Sequence, residues 1–76
     1  MKENLELIIK SLVKNKEEVT ISEEINNNFV QYTVKVKSED MGRVIGKEGK
    51  VAKAIRTLMK SLANTEKKVV SVKFVD

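Results

Sequence analysis

Apolar residues recur at helical spacing near the start of the chain, where Leu5, Ile8, Ile9, Leu12 and Val13 are separated by charged and polar positions. That pattern predicts an amphipathic helix over residues 3–14. Leu7 lies off the main stripe and widens it, and the run Asn15-Lys16-Glu17-Glu18 ends it. From Val19 the period changes. Val19, Ile21 and Ile25 alternate with polar residues as on a half-buried strand. Asn26, Asn27 and Asn28 then form a turn, since Asn tolerates left-handed backbone geometry. Beyond it Val30, Tyr32, Val34 and Val36 alternate with Gln31, Thr33, Lys35 and Lys37, the clearest strand in the sequence. Two strands with so short a connection predict an antiparallel hairpin.

Ser38-Glu39-Asp40 supplies an N-cap residue and two acids for a helix start. That helix is short, because Gly46 soon interrupts it, and a second begins after Gly49 and ends near Asn64. Val69 to Val75 predicts a third strand with Val70, Val72 and Phe74 on one face. The order is α-β-β-α-α-β. A helical crossover joins the second and third strands, which lets them lie parallel. The fold class is therefore α+β, a three-stranded mixed sheet with helices packed on one face.

On the helix after Gly49, Val51, Ala54, Ile55, Leu58, Met59 and Leu62 fall within an arc of about 140° at helical spacing. Lys50, Lys53, Arg56 and Lys60 occupy an arc of about 120° on the other side. The prediction is a helix with an apolar back and a basic front. At its head stands Gly46-Lys47-Glu48-Gly49, a Gly-x-x-Gly turn between two helices. A helix start presents unpaired N–H groups and partial positive charge, and glycine lets a phosphate or sugar come close to the backbone. Such a turn also serves as a plain helix–helix connection without a ligand.

Charge sharpens this reading. The chain of 76 residues carries a formal net charge of +4, unevenly spread. Residues 1–40 hold six basic and eight acidic residues, whereas residues 41–76 hold nine basic and three acidic. A basic half points to a polyanion partner on one side of the fold. Cys and His are absent, which excludes zinc sites of the usual kinds, disulfides and nucleophile pairs built on them. Nothing calls for a cofactor. The first ten residues lack a signal-peptide pattern, and no apolar run is long enough to span a membrane, so a single soluble cytoplasmic domain over residues 1–76 is expected.

The run MGRVIGKEGKVAKAIRTLMKSL resembles the core of a KH domain, whose hallmark is Ile-Gly-x-x-Gly between two helices. The element order is similar to the type II arrangement, the resemblance covers essentially the whole chain, and it is narrowest toward the bacterial KhpA-type single-KH-domain family. It implies single-stranded RNA binding, with about four unpaired nucleotides held beside the loop. By position Gly46, Lys47, Glu48 and Gly49 become the backbone clamp, and Val44, Ile45, Val51 and Ile55 candidates for an apolar groove floor, Ile55 belonging rather to the core. Arg43, Lys50, Lys53 and Arg56 become the phosphate or base-edge contacts. The resemblance further implies RNA chaperoning or post-transcriptional control, self-association as a homodimer, and pairing with a larger KH-containing, KhpB-type protein. Glu48 departs from the basic or neutral residue the family favours in the loop. It either weakens phosphate attraction there or caps the following helix. With only Phe29, Tyr32 and Phe74 aromatic, no stacking platform of the RRM kind is expected, and binding should be modest, salt-sensitive and loosely sequence-selective.

Other classes stay open at this level. A KH-fold module that binds protein and uses RNA little would expose apolar residues, for which Leu7, Phe29 and Met41 are candidates. A helix-turn-helix DNA binder fits the two helices superficially, though its turn is not normally a Gly-x-x-Gly. An enzyme fits least. Gly42 to Lys47 has one residue too few for a phosphate-binding P-loop, and Glu48 stands where Ser or Thr should hold magnesium.

Overall fold

The computed structural model describes residues 1–76. Helix α1 covers Lys2–Leu12, strands β1 and β2 cover Thr20–Asn26 and Phe29–Lys35, and helices α2 and α3 cover Met41–Ile45 and Lys50–Thr65. Strand β3, Val69–Val75, completes the order expected from the pattern. The sheet order is β1-β2-β3. The β1–β2 hairpin is antiparallel, closed by Asn27 at φ +57°, and β2 and β3 run parallel across the helical crossover. The fold is α+β with a mixed sheet, as the alternation and the crossover length require.

One face of the sheet carries the core. Val30, Tyr32, Val34 and Val36 are buried, and Val70 and Val72 continue their layer on β3. Leu5 and Ile9 of α1 and Ile55 and Met59 of α3 close it from above. Glu23 stands on this apolar face between Ile21 and Ile25, opposite Tyr32 in the hairpin register. The pairing has a chemical basis: the buried Tyr32 hydroxyl donates to Glu23 Oε2 at 2.7 Å. Burial first, then this carboxylate, pushes the phenol above its ordinary range.

Helix α3 corrects the sequence reading. Its buried residues are Ala52, Ile55, Met59 and Ala63, while Ala54 is exposed and Leu58 is 46% exposed. At 100° per residue the buried face is turned by about 70° toward the basic side of the helix. Ile55, Met59 and Ala63 of this face join the core, and the side chain of Ala63 is small enough for close approach. Met41 is corrected too, since it packs half-buried against the core. Leu7 and Phe29 are exposed as expected.

The start of α2 is also built differently. Ser38 makes no side-chain capping bond. Asp40 turns inward instead, 1% exposed, and accepts from Lys14 N–H at 3.1 Å, Asn15 N–H at 3.0 Å and Asn15 Nδ2 at 3.0 Å. Arg43 Nε stands 3.5 Å from its other side. This carboxylate ties the end of α1 to the start of α2. Burial opposes its charge, but the Asn15 side chain, the two backbone donors and Arg43 outweigh burial and hold the carboxyl below its ordinary 3.8. A depressed folded-state value gives stability that is present above pH 3.8 and lost as pH falls through the lower folded value. Asp40→Asn should therefore lower the denaturation midpoint at pH 7, and its deficit against the native chain should shrink as the pH is taken below 3.8 in a urea titration series.

Candidate nucleic-acid interface

The chain between α2 and α3 reverses through Gly46-Lys47-Glu48-Gly49, and the two glycines have different reasons. Gly46 lies at φ +76° with ψ 173°, a region only glycine adopts freely. A Cβ there would overlap the Val51 side chain and stand 2.9 Å from the Val51 nitrogen. Gly49, at φ +74°, is left-handed but faces open space, and it caps α3. Gly46 N–H donates to Gly42 O at 2.9 Å and Gly49 N–H to Gly46 O at 3.1 Å, so the turn is stapled at both ends. Between them Glu48 is itself left-handed, at φ +57°, and exposed. Its side chain makes no capping bond to α3, which corrects that part of the sequence reading.

Around this turn the structure sorts the expected contact residues. Lys47, Lys50, Lys53 and Arg56 are all exposed along the loop and the front of α3. Arg43 is exposed as well, but it is engaged with Asp40. Ile45 and Val51 are half-buried beneath the loop and remain available as apolar floor. Val44 is not, since it is 0% exposed within the core and out of reach of any ligand. Ile55 is buried core, as the reading allowed.

The roll of α3 brings Arg56 against β3, with Lys60 beside it. Since Val69 N–H donates to Asn28 O and Val36 N–H to Val75 O, odd-numbered residues of β3 bond toward β2. The N–H and C=O groups of Val70, Val72 and Phe74 then point to the free edge of the sheet. Between that edge and α3 lie two adjoining cavities. One of about 230 Å³ is lined by Arg56, Lys60, Val70, Ser71 and Val72. The other, about 430 Å³, extends past Lys60 to Ser61, Asn64 and Lys68. Together they make a polar, basic groove running down α3 from Arg56, away from the loop. The sequence reading placed Lys60 on the basic arc but outside the site. Ser71, Ser61 and Asn64 carry no signal in one dimension, because only the packing of α3 on β3 places them together.

The electrostatics favour an anion. The ion pairs of the molecule involve the N-terminus, Lys10, Lys37, Arg43 and Lys68, so none of Lys47, Lys50, Lys53, Arg56 and Lys60 meets an acid of its own chain. Their charges are presented to solvent along the loop, the helix face and the groove.

A Gly-x-x-Gly turn between two helices, on a sheet in which the last strand runs parallel to the middle one, agrees with comparison to known families. The family model described as KhpA/KhpB, KH domain, matches residues 2–74. The chain belongs to the KhpA/KhpB KH-domain family. Its element order and mixed sheet are those of a type II KH fold. The RNA-binding protein KhpA of Clostridium perfringens is 47% identical over 75 residues, which cover 99% of this chain and 100% of the relative. The protein of the same name from Clostridium acetobutylicum is 48% identical with the same coverage. That of Chlamydia trachomatis is 42% identical over 76 residues, 100% of this chain and 97% of the relative. No solved structure matches the chain.

Gly46 in the loop of this KH domain and Gly42 in the helix before it predict opposite outcomes. Gly46→Ala should destabilise the fold by about 2–4 kcal/mol, from a disfavoured φ together with the overlap on Val51. Gly42→Ala, in helix α2 with nothing within 4 Å of the new methyl, should stabilise it by about 0.5–1 kcal/mol. Urea denaturation midpoints measure both.

Proposed function

We propose that this protein binds single-stranded RNA, with the GKEG turn against the sugar–phosphate backbone and the strand continuing along the α3–β3 groove. The observation that carries the reading is the row of basic side chains with no acidic partner, Lys47, Lys50, Lys53, Arg56 and Lys60, beside a groove open to the β3 edge. Relatives that match the full length of this chain bear the name RNA-binding protein, and the KH family is a binding family, not an enzymatic one. The turn supplies closeness to the backbone, the lysines supply attraction, and Ile45 and Val51 supply the apolar floor. Glu48 works against attraction at the tip, so affinity is modest.

A single groove of this kind holds about four nucleotides. Useful affinity then comes from a second KH unit, either another copy of this chain or a larger KhpB-type protein, because linked sites raise the effective concentration. The exposed Leu58 and Ala54 on the back of α3 give such pairing an apolar surface that leaves the basic front free. The role fits RNA chaperoning or post-transcriptional control in the cytoplasm. No helix is long and apolar enough to cross a membrane.

The test is binding to a mixed pool of short single-stranded RNAs at low and moderate salt. The native chain should bind with a log–log salt slope of about −2 to −3, as expected for three or four phosphate contacts on a single strand. A Lys47→Asp, Glu48→Asp double variant should stay folded by circular dichroism, since Asp accepts the left-handed geometry at position 48, and should lose most of this binding. Equal binding by both proteins would reduce the loop to a turn. Failure of both to bind would favour a protein-interaction module.

A further inference from the structure

Arg56 is held in the groove by two contacts, neither of them to an acid. Its Nε donates to Val72 O at 3.1 Å, one of the carbonyls turned to the free edge of β3. Its guanidinium carbon lies 5.3 Å from the centroid of the Phe74 ring. Two independent contacts thus set the plane of the group, while the residue as a whole remains exposed and lines the cavity of about 230 Å³. Lys60 and Lys68, the other cations of the groove, are point charges on flexible stems.

The aromatic residues leave a need that this arrangement meets. Tyr32 is fully buried, Phe29 is on the opposite face of the sheet from the core, and Phe74 is half-buried under Arg56. No aromatic ring is free in the groove to receive a base. A guanidinium is planar, delocalised and weakly hydrated, so it can carry a base on its flat face where an ammonium cannot. With Phe74 beside one face and Nε occupied by Val72 O, the other face and the terminal nitrogens are left for a ligand.

We propose that Arg56 is the base-stacking platform of the groove, and that Phe74 is a positioning residue that holds the guanidinium flat beneath the base. This rests on the RNA-binding reading above and assigns within it a contact that requires a nucleobase. The lysines and the loop act on phosphate and ribose alone, whatever base is attached.

The experiment compares two labelled probes by fluorescence anisotropy: a short oligoadenylate, and an abasic ribose–phosphate chain of the same length. The proteins are native, Arg56→Lys, Phe74→Leu and the double variant. Native protein should prefer the oligoadenylate. Arg56→Lys keeps the charge, so its salt slope should stay near native, while its oligoadenylate binding should weaken about three- to tenfold more than its binding to the abasic chain. Phe74→Leu should weaken oligoadenylate binding in the native background but not in the Arg56→Lys background, because the ring acts through the guanidinium. Equal loss on both probes in Arg56→Lys would make Arg56 a phosphate contact and overturn the proposal, as would no loss on either or additive effects in the double variant. If Phe74→Leu fails to fold, Arg56→Lys against the two probes decides alone. Native protein binding neither probe would bring down the RNA reading itself, a result distinct from native binding without base preference, which would bring down only the stacking platform.

Discussion

Where α3 meets the sheet, Ile55, Met59 and Ala63 join the core, and Ala52 is buried on the same side of the helix. The small side chain of Ala63 allows close approach, and Ile55 and Met59 fill the space beneath. This contact fixes the roll of the helix about its axis, and the rest of the site follows from that angle. Had the larger residues Leu58 and Leu62 led the packing, Arg56 and Lys60 would have pointed farther from β3. With Ile55, Met59 and Ala63 in that place, both line the groove along the sheet edge, and Leu58 is left on the outside.

The periodicity of the sequence was enough for the order of elements, because each signal there is local. The alternation of Val30, Tyr32, Val34 and Val36 states a buried strand face, and Gly46 and Gly49 punctuate the helical stretch they interrupt. What failed to show is what depends on competition between residues of the same kind. Ala52, Ala54, Leu58 and Ala63 are all apolar, and a helical wheel cannot say which of them the sheet selects. Asp40 reads locally as an acid at a helix start, yet its partners lie 25 and 26 positions away in sequence. Glu48 reads as a capping acid, but the backbone turns left-handed there and the side chain makes no capping bond to the helix. The loop was legible; the groove was not, because half of it is strand edge.

Two arginines show how one charge can serve two ends. Arg43 is spent largely within the molecule, partnering an Asp40 that already holds three other donors and ties α1 to α2. Arg56 is bound to a neutral carbonyl and an aromatic ring, contacts that orient it without cancelling its charge. The lysines between them have no acidic partner at all. A fold that tied up Arg43 and left the others free keeps its stability and its attraction for anions on separate residues, so each can vary with little cost to the other.

Strand β3 has a consequence beyond ligand binding. It is a valine-rich edge whose outward backbone groups at Val70, Val72 and Phe74 lack a neighbouring strand, the feature from which proteins polymerise sheet to sheet. Here the edge is overhung by Arg56 and Lys60, and Lys73 sits on the strand itself. Two such edges approaching one another bring like charge against like charge before any backbone groups can meet. A cationic row placed in this way guards the uncovered strand against templating fibres, and masking it with salt would weaken that repulsion.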